Sequence, residues 1–245
     1  MGLNFEYLVI LLSLIVIMLW IGFLITRATL GQQTARRNLY YSGGWLFAGA
    51  LFSMLLAFAG RYGLIILYGL YALSVYAWLL SWPMRKQATG ALKLEVGRTT
   101  QNKALFWVGL VLVGVAIAMT FSLIDRLTGP LSTNSSLIAG IVEIAFWWAP
   151  AALFLFLGLS DLEIRENGLS YLYAWQPWER VEAFGWDDDK PNTLLLRVVP
   201  RTPLSRRYVS LTIPAHQREA VDALIDDYIS EADLATEIDG GAVAS

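Results

Sequence analysis

The chain has 245 residues, of which 56% are hydrophobic and 16% charged, with a mean hydropathy of +0.53. Average soluble domains carry about a quarter charged residues, so this composition excludes an ordinary soluble protein and reads as membrane helices with an extramembrane domain appended. There is no cysteine, which excludes disulfides and thiolate chemistry, and the net charge of -2 averages basic loops against an acidic tail without pointing to any partner.

The first residues carry Glu6 but no lysine or arginine, and the apolar stretch Tyr7–Ile25 is long enough to span. That predicts a retained first transmembrane helix rather than a cleaved signal. The next loop, Thr26–Gly44, holds Arg27, Arg36 and Arg37 with no acid. An apolar run from Trp45 to Trp82 follows, with Arg61 its only charge. It is too long for one span of about 20 residues. Its midpoint reads Gly60-Arg61-Tyr62-Gly63, where glycine permits a turn while arginine and tyrosine suit the headgroups. A discontinuous helix with Arg61 at mid-membrane is the rival reading.

Loop charge decides between them. Pro83–Lys103 carries Arg85, Lys86, Lys93, Arg98 and Lys103 against Glu95, so both basic loops are expected inside. Only two helices between them put both on one side. Within this loop Leu92, Leu94 and Val96 alternate with Lys93 and Glu95, a strand period. Two readings of the segment Ala91–Val96 stand: a strand added to an exposed sheet edge, or an interfacial or irregular loop. Five spans result, near Glu6–Ile25, Gly44–Ala59, Gly63–Trp82, Ala104–Ile124 and Leu137–Leu159, with the N-terminus outside and the C-terminus in the cytoplasm. In the second span Gly49, Ser53 and Ala57 recur every four residues, a stripe where a neighbouring helix can come close. Glu143, the one carboxylate in a span, is expected to be paired or hydrated near the outer end, with Arg61 and Arg126 in reach. Trp147-Trp148, before Pro150, is expected to pack against helices or lipid.

After Leu159 the pattern turns to alternation. Five antiparallel strands are expected: Leu162 and Ile164; Leu169–Tyr173 after the hairpin signal Asn167-Gly168; Trp178–Trp186 after a break at Gln176-Pro177; Leu194, Leu196 and Val198; and Val209, Leu211 and Ile213 after a turn at Pro200–Ser205. Pro214 starts a helix with a stripe at Val221, Leu224, Ile225, Tyr228 and Ile229. The fold class is thus a five-helix membrane bundle (1–159), a small α+β domain with a bent antiparallel sheet or partial barrel (160–230), and a disordered acidic tail (231–245).

The stretch "IRENGLSYLYAWQPWERVEAFGW", with two more alternating strands and a terminal helix, resembles the bacterial pleckstrin-homology-like domains of YcxB-type membrane proteins over about 161–229. A full barrel of that kind has seven strands, so the five expected here are two short. The resemblance implies a bacterial inner or internal membrane and no enzymatic activity.

Enzyme motifs are absent: the chain has no H-E-x-x-H and no Walker or G-x-G-x-x-G loop, and its lone His216 is expected on the surface. Neither a cofactor nor a metal is expected, the turn Asp187-Asp188-Asp189 being read as solvated or as a partner contact. In a meander, alternate turns fall at opposite ends. Trp175, Arg201, Arg206 and Arg207 are expected to collect at the membrane-proximal end and the aspartates at the far end. The expected function is that of a non-enzymatic scaffold, assembly or regulatory factor binding anionic lipid headgroups or a protein partner, and no nucleic acid. A small-solute transporter or channel is the alternative.

Overall fold

In a computed structural model of the chain, the described residues are 5–57, 60–128, 134–187, 190–200 and 207–229. The turn from 201 to 206, Gly129-Pro130, Asp188, Asp189 and the acidic tail lie outside them.

Long helices form the first part: α1 (Phe5–Leu30), α2 (Gln32–Ala57), α3 (Gly60–Leu80), α5 (Thr100–Thr128) and α6 (Asn134–Leu159), with a short α4 (Trp82–Gln87) after α3. Among the described residues three stretches are long and apolar enough to cross a membrane, namely Tyr62–Gln87, Thr100–Asp125 and Leu137–Leu159. The segment 26–44, expected as a loop, is helical apart from Gly31. No proline interrupts it, and the Thr26 and Thr29 hydroxyls donate to the carbonyls of Gly22 and Ile25 (2.8 Å each), so these polar side chains are satisfied within the helix. Gly31 alone breaks the run, because its φ of +96° is one that residues with a Cβ rarely adopt. Helices α2 and α3 are separate and in contact, with Arg61 in the first turn of α3.

Helices α5 and α6 form the most intimate pair. A Cβ at Gly109 would lie 2.7 Å from the Leu155 backbone nitrogen, and one at Gly158 would overlap the Phe106 backbone. Only glycine lets the two backbones meet this closely. Ala116 and Ala149 are fully buried. Trp148 donates from Nε1 to Thr120 Oγ1 (3.1 Å) across the pair, so it does pack between helices as expected. Of the stripe at Gly49, Ser53 and Ala57, a Cβ on Gly49 would meet nothing within 4 Å among the described residues, and the side chains at 53 and 57 lie outside them.

The second part contains seven strands among the described residues, against five expected after Leu159 and one at Ala91–Val96. A four-stranded sheet runs β1 (Leu92–Gly97), β2 (Leu162–Arg165), β3 (Gly168–Tyr171), β4 (Ala174–Pro177), and a three-stranded sheet runs β5 (Val181–Trp186), β6 (Thr193–Val198), β7 (Tyr208–Thr212). All pairings are antiparallel. The alternating loop segment does supply a strand: β1 lies on the edge of β2 with Leu94 opposite Ile164. Expecting a break at Gln176-Pro177 was wrong, because β4 is an edge strand and tolerates its terminal proline. Trp178–Arg180 is a 3-10 turn rather than the start of the third strand. The core gathers Leu162, Ile164, Phe184, Leu194, Leu196 and Leu211, closed by Val221 and Ile225 of α7 (Arg218–Asp226). Tyr228, expected on the buried stripe, is exposed but stacks on Trp178 at 5.0 Å.

Candidate functional site

The sheets are fastened to the helices by a dense joint. Thr99 and Asn102 cap α5 reciprocally: the Thr99 N–H donates to Asn102 Oδ1 (3.2 Å) and the Asn102 N–H to Thr99 Oγ1 (3.3 Å). The same fully buried Asn102 turns its amide group to the end of α6. Nδ2 donates to the Leu157 carbonyl (2.8 Å), the Ser160 carbonyl (2.9 Å) and Ser160 Oγ (3.1 Å). One side chain thus caps two helices. Thr99 Oγ1 also meets Tyr171 OH at 2.9 Å, and that hydroxyl donates to Gln101 Oε1 at 3.1 Å, which carries the network into β3. Burial pushes the Tyr171 phenol up to about 12, partly offset by the hydrogen bond with Thr99.

The β3–β4 turn makes a second attachment. Leu172 and Tyr173 have φ of +51° and +57°, a conformation that favours Asn-Gly. The strain is held by packing, since the Tyr173 ring lies among Trp78, Trp82 and Phe156 at 5.9, 5.2 and 6.0 Å. Arg85 sits over the Trp78 and Trp82 rings and donates to the carbonyls of Tyr173 (3.1 Å) and Trp78. Nearby, buried Glu163 is paired with Lys86 and Arg165, both at 2.7 Å. Burial alone would raise its pKa, but the two hydrogen bonds and positive charges outweigh burial and hold it below the usual carboxylate range.

Above this joint lies a two-part cleft. An apolar cavity of about 330 Å³ sits between α1, α2, α5 and α6, lined by Leu19, Phe23, Leu46, Leu105, Leu112 and Phe154 among others. A second cavity of about 190 Å³ lies between the α1–α2 bend and the sheets, lined by Thr34, Tyr171, Trp175, Gln176 and Ser210. Asn38 and Gln101 line both, so the two are neighbours sharing a wall. Arg37 borders the polar half: Nη2 donates to Ser210 Oγ (3.0 Å) and the guanidinium lies 5.1 Å from the Tyr208 ring centre. Gln176 Nε2 is buried with no hydrogen-bond partner among the described residues.

The residues singled out from sequence scatter around this arrangement. Trp175 lies in β4, lines the polar cavity and donates weakly to the Asn167 carbonyl (3.4 Å). Arg207 is exposed, and its carbonyl accepts from the Val198 N–H (2.7 Å). Arg201 and Arg206 lie outside the described residues. Asp187 closes the β5–β6 turn, its Oδ1 accepting from the Lys190 N–H (3.3 Å). Among the described residues no group of three acids or histidines is placed to hold a metal. Glu143 is half-buried in α6, away from the cleft, and His216 is exposed. Sequence reasoning missed Asn102, Tyr171, Asn38 and Gln101. For Asn102 there was a signal: Thr99-Thr100-Gln101-Asn102 ahead of an apolar run has the form of a helix start.

Fold and cleft define a class: an apolar helical bundle with stretches able to cross a membrane, joined to a two-sheet antiparallel unit, with a polar-to-apolar cleft between them. Residues 160–230 match a family described as a domain of unknown function (DUF5673). The matched segment takes in β2 to α7 and leaves out β1. No curated protein matches the chain, and no solved structure does.

Proposed function

We propose that this is a non-enzymatic, multi-pass membrane protein of scaffold or regulatory type, whose sheet unit is a pleckstrin-homology-like domain that binds anionic lipid headgroups at the cytoplasmic face. Seven strands and a terminal helix, the complement of a full barrel, support the domain reading. Five spans with the N-terminus outside are supported by the lengths of the long helices: α1, α2 and α6 have 26 residues each, α5 has 29 and α3 has 21. Each is at least as long as the roughly 20 residues that a span takes, and α3, α5 and α6 contain stretches apolar enough as well. The arginines of the 26–44 segment and the basic residues of 83–103 then share the inner side with the sheets.

The observation that carries the lipid reading is the cleft at the joint, whose polar half is bordered by Arg37. Its test uses the purified full chain in a neutral detergent. A ligand that binds only the folded protein raises its stability, by about 2.7 kcal/mol at a concentration 100 times its Kd. Short-chain phosphatidylglycerol is expected to raise the unfolding temperature well above the effect of the matching phosphatidylcholine. Equal effects would overturn the reading.

A further inference from the structure

The cleft is graded in a way that selects its occupant. Its upper half is mostly hydrocarbon and aromatic surface from α1, α2 and α5, with Thr26 and Ser42 in its wall and the amides of Asn38 and Gln101 where it adjoins the lower half. Its lower half adds the amide and hydroxyls of Gln176, Thr34 and Ser210 among apolar residues such as Leu169, Leu196 and Leu211, with the Arg37 guanidinium bonded to its wall. A small polar metabolite would leave the upper half unused. A pure hydrocarbon would bury the lower amides without acceptors, which costs about 1–3 kcal/mol for each. Gln176 Nε2 is already a buried donor with no partner among the described residues, as expected of a wall that meets an acceptor on its ligand. The upper volume, about 330 Å³, reaches the range of ligand-holding clefts.

Charge narrows the class further. Among the described residues no aspartate or glutamate lines either half, so a ligand ammonium would find no counter-ion among them. A phosphate in the lower half would lie beside the Ser210 hydroxyl to which Arg37 Nη2 donates, and phosphates take charge-assisted hydrogen bonds from guanidinium groups. We infer that the cleft holds one anionic phospholipid, its acyl chain between α1, α2 and α5 and its phosphate beside Arg37, Ser210 and Gln176. This rests on the headgroup reading above and adds that the lipid is taken in by the bundle as well as touched by the sheets.

Gly22 gives a clean test. It lines the apolar half, and a Cβ added there meets nothing within 4 Å among the described residues. Gly22→Phe therefore places an aromatic ring at the cavity wall with no clash at its Cβ, and replacing a helical glycine favours the helix. The full chain is equilibrated with mixed phosphatidylglycerol and phosphatidylcholine, and bound lipids are counted by native mass spectrometry. Wild type is expected to keep one phosphatidylglycerol, Gly22→Phe to lose it by more than about tenfold, and Arg37→Gln to keep a lipid while its preference for phosphatidylglycerol collapses. Glycerol phosphate, which has the anion but no chain, is expected not to compete. Competition by glycerol phosphate at the lipid's own concentration would make this a site for free phosphate esters and overturn the proposal. So would undiminished lipid in a folded Gly22→Phe protein, or an unchanged preference in Arg37→Gln. If phosphatidylglycerol still stabilises Gly22→Phe above phosphatidylcholine, the headgroup reading survives and the cleft assignment alone fails.

Discussion

Replacing Asn102 with alanine tests whether one side chain ties the sheets to the bundle. The change removes the Oδ1 acceptor that serves the Thr99 N–H and Oγ1. Losing a helix cap costs about 1 kcal/mol. It also removes the Nδ2 donor from the Leu157 and Ser160 carbonyls. Leu157 keeps the N–H and hydroxyl of Ser160, at 3.3 and 2.9 Å, so its carbonyl stays paired. The Ser160 carbonyl is left without a donor among the described residues, at a cost of about 1–3 kcal/mol. The expected total is about 3 kcal/mol, read by equilibrium unfolding of the full chain in mixed micelles. Lys103→Ala, at an exposed position one residue on, is the control and should change little. Asn102→Asp keeps the cap acceptor but aims a carboxylate at the α6 carbonyls, and should cost more than alanine. A loss under about 0.5 kcal/mol for Asn102→Ala, or an aspartate variant as stable as wild type, would refute the double-cap argument.

Three further outcomes are expected. Gly158→Ala should force α5 and α6 apart at Phe106 and destabilise by about 1–3 kcal/mol, whereas Gly22→Ala should be neutral or slightly stabilising; thermal unfolding of both variants checks this. The Glu163 carboxyl has its pKa lowered in the fold, so its contribution is present above the ordinary value of about 4.3 and is lost as pH falls through the folded value. Glu163→Gln should flatten that acid limb in unfolding measured between about pH 3 and 6. Tyr171 runs the other way: its contribution is complete below pH 10 and is lost as pH rises toward its folded pKa of about 12. Stability of the Tyr171→Phe variant should therefore fall less steeply than wild type in alkaline unfolding.

Much of the helical part was legible because unbroken apolar runs leave few alternatives, and the strand at Leu92–Val96 was legible because its period of two stands out in a loop. The helix extending past the apolar run into 26–44 was not, since nothing in a polar segment distinguishes a helix from a solvated loop until Gly31 is seen as its only break. Strand β4 was hidden by Pro177, which signals a break unless the strand is known to lie on an edge. The cleft was least legible of all. Thr34, Asn38, Gln101 and Gln176 are ordinary surface types in sequence, and they come together only because the α1–α2 bend and two sheets converge on the start of α5. The basic residues expected to face the lipid were sought in the 200–207 turn, while the cation that borders the cleft is Arg37, in a segment read as a loop.

The most direct test places a phosphatidylglycerol with a photoreactive group on its acyl chain in membranes holding the full protein. After illumination, adducts are mapped by peptide mass spectrometry. The account predicts that they concentrate on the cleft wall, in the peptides holding Leu19, Phe23, Leu105 and Leu112, and fall away in Gly22→Phe. Adducts spread evenly over outward-facing residues such as Leu73, Ile138 and Ile141, unchanged by that substitution, would contradict it.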